Sequence, residues 1–290
     1  SNDAVIEPAS QEAAADKNKI LRMHDTLRNV FRGAPIFSLV FLTIALICAL
    51  FAPLIAPYSP IETNPTNILK APDLTNHLLG TDNQGRDILS RLIHGAQTSV
   101  MIGVLSVLLA ATVGTVIGLV SGVFRGWVDR ILMRFTDGFL ALPYLMVALT
   151  AVSLLGSSVI NVIFVIGLLR WMGFARVLRG EVLKLVEMDF VRLAMAAGAS
   201  KTRIMITHIF PNITNTLLVL ATLELGLAVI VEASLSFLGL GVPPEIPTWG
   251  AMLADGRTYI STSWWLALFP GLCIFFTVLG INLLGDGMRD

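Results

Sequence analysis

Of 290 residues, 55% are hydrophobic and only 14% are charged, with 20 Lys and Arg balanced by 20 Asp and Glu. Soluble domains devote about 25% of their residues to charge. With a mean hydropathy of +0.77, this chain lacks the polar surface that water would demand, which excludes a soluble globular protein and makes lipid the solvent for much of it.

In chain order, residues 1–16 are rich in Ala, Glu and Asp and carry no periodic apolar face, so the reading there is a disordered start to a cytoplasmic tail over 1–33. A secretory signal is not the reading either: its apolar core would be about 7–15 residues long behind a short basic region. Here a long polar stretch precedes an apolar run over 36–56. A hydrocarbon core about 30 Å thick needs roughly 20 apolar residues per helix. Runs of that kind fall at 36–56, 98–122, 135–155, 159–175, 213–239 and 264–285, giving an all-α membrane protein of about six spans over residues 34–290. Only Gly156, Ser157 and Ser158 separate the third run from the fourth, which predicts an antiparallel pair joined by a tight turn. The second run carries Gly114, Gly118 and Gly122 at four-residue spacing, a ridge against which another helix can pack closely.

Orientation follows from the basic residues. With the N-terminus inside, only Lys70, Arg86, Arg91 and Arg257 of the 20 Lys and Arg fall outside, and the rest lie on cytoplasmic segments or span ends. The positive-inside rule then places both termini in the cytoplasm, the segment 57–97 outside and the loop 176–211 inside. The five Trp (127, 171, 249, 264 and 265) lie near or beyond span ends, as in an interfacial aromatic belt. Cys48 and Cys273 sit in apolar runs and read as buried thiols. His24, His77, His94 and His208 lie at no ligand spacing and read as surface or capping residues, so no metal or cofactor is expected. The basic loops are accounted for by topology and do not call for nucleic acid.

The loop 176–211 is the most informative stretch. Phe190, Leu193, Ala194 and Ala197 fall near one face of a short helix; Gly198 can end it in a left-handed conformation, Ser200 can cap a second helix, and Pro211 marks entry to the fifth span. Small apolar residues at such a tip, Ala197, Gly198, Ala199 and Ser200, allow another protein to approach the backbone; the alternative is that the face folds back on the membrane.

This stretch resembles the EAA loop of ATP-binding-cassette importer permeases, Glu-Ala-Ala, three residues, Gly, nine residues, then Ile-x-Leu-Pro. Ala194, Gly198 and Pro211 match; Arg192, Leu193, His208 and Phe210 depart from the pattern. The segments HLLGTDNQGRDILSRLIHGAQTS (77–99), DRILMRFTDGFLALP (129–143), EASLSFLGLGVPPEIPTWGAML (232–253) and NLLGDGMRD (282–290) are similar, in the same order, to the peptide and nickel class of these permeases. The resemblance covers 36–290 and implies the second permease of a dipeptide or oligopeptide importer, with type I importer architecture in the bacterial inner membrane. It implies as partners a second homologous permease, two cytoplasmic ATPases that engage Phe190, Leu193, Ala194, Ala197, Gly198, Ala199 and Ser200, and an extracytoplasmic solute-binding protein. The family pattern runs a few residues past Asp290, so a C-terminal piece is expected beyond it.

The chain itself has no G-x-x-x-x-G-K-[ST] phosphate loop, so ATP hydrolysis is assigned to another polypeptide and the chain is not read as an enzyme. Glu224 and Glu232 fall within the fifth span, about 80° apart on a helix, so both could border one groove. Of the two, Glu224 is the better candidate for solute contact, against the simpler reading of a buried hydrogen-bonded carboxyl. Asp137 reads as an interfacial anchor or inter-helix partner. An intramembrane protease is disfavoured because no span holds a His. A secondary transporter or channel working without an ATPase remains the alternative, although no inverted repeat is visible.

Overall fold

The computed structural model describes residues 36–289; the expected tail 1–33 and His24 lie outside them. The described residues form helices α1 (Ile36–Ile55), α2 (Ile88–Phe124), α3 (Gly126–Leu140), α4 (Tyr144–Leu155), α5 (Val159–Val186), α6 (Asp189–Ala196), α7 (Lys201–Phe237), α8 (Trp249–Arg257) and α9 (Trp265–Arg289). Four of them, α2, α5, α7 and α9, are long and apolar enough to cross a membrane alone. The pair α3 and α4 passes together as a bent fifth, and Leu39–Ile55 is a shorter apolar helix in the first position. The expectation of about six apolar segments therefore holds, with one change in kind.

That change is at the third span, expected as one run over 135–155. It is two helices bent by 85° between Leu140 and Tyr144. Pro143 lies at the break and precedes Tyr144 as its N-cap, at φ −66° and ψ 98°. A proline supplies no N–H to the preceding turn and biases the residue before it away from helix, so an apolar count cannot see the bend.

The other long helices overrun their expected spans. α2 has 37 residues, about 55 Å at 1.5 Å each, and begins ten residues before the expected membrane entry. Asp87 caps it by accepting a hydrogen bond from Ser90 N. α5 continues through Val186, and α7 runs unbroken from Lys201, so most of the expected loop 176–211 is continuous with span helices. Pro211, expected at the entry to the fifth span, lies instead inside α7, just after a π-helical turn over Met205–Ile209. The wider turn relieves the clash that the proline ring would make with the carbonyl four residues back.

The core sits between α2 and α5, which pack along the glycine ridge. A Cβ on Gly118 would stand 3.0 Å from Ala175 O and 3.2 Å from Arg179 N, and one on Gly114 2.5 Å from Trp171 O. The turn between α4 and α5 is as expected: Gly156 takes φ +87° and Ser158 caps α5 through Asn161 N.

A second cluster, at the Ile88 end of α2, joins α1, α2, α8 and α9 around Trp249 and Trp265. Their indole N–H groups donate to Leu92 O at 3.0 Å and Thr81 O at 3.3 Å. Trp171, Trp249 and Trp265 are all buried, so only Trp127 and Trp264 are disposed as interfacial residues; the tryptophans mainly serve packing. His77 is likewise buried, with Nδ1 2.9 Å from Asp87 Oδ1, where it supports the α2 cap. Cys48 and Cys273 are free and half-buried rather than fully enclosed.

Candidate functional site

Between α5 and α7 lies a small helix–turn unit. α6 has eight residues with Asp189 in its first turn, where an acidic side chain complements the helix dipole. Gly198 ends it at φ +83°. Gly198 N donates to Met195 O at 3.0 Å and Ala199 N to Ala194 O at 3.1 Å, the paired bonds of a Schellman closure. Ser200 then caps α7, its hydroxyl accepting from Arg203 N at 3.3 Å.

The seven residues singled out in this unit divide by direction. Val191 is fully buried beneath α6, and Ala194 and Ala199 pack half-buried against the core. Phe190 and Leu193 point outward, 42% and 69% exposed, with Ala197, Gly198 and Ser200 exposed beside them. A Cβ on Gly198 would meet nothing within 4 Å. Burying one large apolar side chain is worth roughly 1.5–3 kcal/mol, so this rim gains from being covered.

The unit is tethered to its neighbours by charge. Arg125, between α2 and α3, takes φ +52° and ψ −165°, a region that a bulky side chain rarely adopts. Its Nη2 donates to Leu183 O at 3.2 Å and to Glu187 Oε1 at 2.8 Å. Glu187 Oε2 in turn lies 3.4 Å from Nη2 of Arg192 on α6. The Arg125 hydrogen bond holds the Glu187 carboxyl below the usual carboxylate range, with Arg192 adding to the effect. A firmer clamp lies close by: Arg179 donates through Nε and Nη2 to the two oxygens of Asp129, at 2.5 and 2.6 Å. Asp137 pairs with Arg176 from α5, the inter-helix role expected of it.

The two glutamates of the fifth span do not share a groove. Glu232 is fully buried, and its carboxylate accepts from Ser99 Oγ at 3.1 Å and Ser236 Oγ at 2.8 Å. It ties α7 to α2 and, because Ser99 also accepts from Trp249 N at 3.3 Å, to α8. In this conformation it presents no surface to a solute. Glu224 instead pairs with Arg170 of α5, whose Nε lies 2.6 Å from Oε2, and both side chains remain partly exposed, 16% and 20%. The Arg170 guanidinium also lies over the Tyr144 ring, 5.6 Å from its centroid.

Sequence reasoning missed Arg170 and Tyr144. Counting basic residues places Arg170 at a span end, but it sits well inside α5. The available signal was its company: one cation within a long apolar helix and one carboxylate within another form a pair, because each alone costs about 2.5–3.5 kcal/mol in a bilayer.

The whole arrangement has relatives. Residues 114–290 match the family described as binding-protein-dependent transport system inner membrane component, and residues 34–72 match the N-terminal TM domain of oligopeptide transport permease C. The chain is 42% identical to the di/tripeptide transport system permease protein DppC of Pseudomonas aeruginosa, over 87% of this chain and 85% of the relative. It is 40% identical to the dipeptide transport system permease protein DppC of Alkalihalophilus pseudofirmus, over 88% and 84%. Against the glutathione transport system permease protein GsiD of Pectobacterium atrosepticum it is 38% identical, over 94% and 87%.

Proposed function

The chain belongs to the binding-protein-dependent transport system inner membrane components and is a membrane-spanning subunit of an ATP-binding-cassette importer, and on that premise we propose how it works. It pairs with a second, homologous permease to enclose a path for short peptides, the solute class named for its relatives. A solute-binding protein delivers from outside, and two ATPases dock from the cytoplasm. Both termini of the chain are cytoplasmic, with segment 57–97 outside, in keeping with the distribution of Lys and Arg.

The observation that carries this reading is the α6 tip. An exposed apolar rim of Phe190, Leu193 and Ala197, closed by Gly198 at φ +83°, is a rigid knob that an ATPase cleft can grip. Coupling requires contacts that differ between two states of the complex. The knob is suited to this because Arg192, Glu187 and Arg125 link it to the strained joint between α2 and α3.

The assignment is tested by reconstituting the chain with its partner permease, ATPases and binding protein in vesicles and measuring uptake of labelled alanyl-alanine. Uptake should require ATP and be lost when the ATPases are omitted. Uptake by the two permeases alone at the same rate would favour a secondary transporter or channel.

A further inference from the structure

We propose that Arg170 and Glu224 form a solute subsite inside the spans, which binds the free carboxylate and free ammonium of a short peptide by exchanging their mutual ion pair for one with each end of the solute. The proposal rests on the importer reading above and adds residues and a recognition chemistry to it.

Depth is the first argument. Counting from Val159, Arg170 lies eleven residues along α5, and Glu224 lies thirteen before Phe237 in α7. At 1.5 Å per residue these are about 17 and 20 Å from the helix ends. Both fall within the apolar runs that are expected to cross the membrane, 159–175 and 213–239.

Exposure is the second. A charge pair at that depth that keeps 20% and 16% of its side-chain surface open cannot present that surface to acyl chains. The face formed by α4, α5 and α7 at this level therefore turns away from lipid, to the partner permease or to the path between the two. Glu232 provides the internal contrast, since a carboxyl used only to hold helices together is here fully buried and satisfied by hydroxyls.

Stereochemistry is the third. Both guanidinium contacts, from Nε and Nη2, converge on Oε2 of Glu224. Oε1 is left by the guanidinium and faces Gly173, where an added Cβ would already make van der Waals contact with it at 3.5 Å, so the absence of a side chain there keeps this oxygen approachable. The Tyr144 ring lies under Arg170, 5.6 Å from the guanidinium carbon, and supports it from one face while its Nε and Nη2 edge, now on Glu224, is the edge that a solute carboxylate would take. Tyr144 is the first residue of α4, immediately after the 85° bend, so the broken third span delivers this side chain to the subsite. A zwitterionic peptide supplies both counter-charges at once. A solute lacking either would separate the pair and leave one member uncompensated.

The test uses the reconstituted complex and labelled alanyl-alanine, comparing Arg170→Gln, Glu224→Gln and the double variant. For a subsite, the double variant assembles and retains ATP hydrolysis stimulated by the binding protein, while uptake stays down by roughly tenfold or more, as in the single variants, since both solute contacts are gone. If the pair only held helices together, removing both charges would relieve the unpaired one, and uptake would recover toward wild type; that recovery would overturn the proposal. Should the variants fail to assemble, a second measurement uses Gly173→Cys with Cys48→Ser and Cys273→Ser. A water-soluble cationic thiol reagent should label position 173, and alanyl-alanine delivered by the binding protein should slow labelling several-fold. No labelling, or labelling indifferent to the peptide, contradicts the subsite. Loss of wild-type uptake altogether would instead strike the importer reading on which it rests.

Discussion

Single atoms set the tolerances of this chain. At Gly118 a side chain would begin 3.0 Å from one backbone atom of α5 and 3.2 Å from another, and backbone cannot step aside as a flexible side chain can. Gly118→Leu should therefore push α2 from α5 and cost about 1–3 kcal/mol or more by overpacking. This should be read as a lowered melting temperature of the purified chain and a reduced yield of assembled complex; an unchanged melting temperature would mean that the ridge is slack. The ridge was legible because four-residue spacing of small residues has one geometric meaning on a helix. Arg170 was not legible in the same way. Charge counting assigns every cation to a water phase, and only the position of Glu224 on a different helix shows that this one is neutralised by a partner.

Among elements, the joints carry more information than the spans. Apolar run length located the helices correctly but missed the bend before Tyr144 and the π turn just before Pro211, because both depend on how backbone groups are satisfied locally. The Gly198 turn was legible since a left-handed glycine followed by a capping serine is a local signal that tertiary packing does not override. The inward turn of Ala194 and Ala199 was not, because the face used for packing is set by Val191 and the core beneath it.

At the scale of the whole molecule, the chain is a set of helices with two differently equipped ends. At the Ile88 end of α2 lies a folded segment in which Asp82 binds Arg86 and Asp87 binds His77, with Leu74 89% exposed at its surface. At the Phe124 end, Lys201 Nζ lies 5.5 Å from the Phe124 ring centroid and leads back to the Gly198 tip. About 55 Å of helix separates those ends. On the proposed function the tip meets the ATPase while the opposite end faces the binding protein. The direct measurement is disulfide or short-linker crosslinking in the assembled complex, with Cys48 and Cys273 replaced by Ser and one cysteine introduced at a time. Ala197→Cys should crosslink to an ATPase subunit and Leu74→Cys should not. An ATPase adduct at position 74, or none at position 197 in a complex that still transports, would contradict the account.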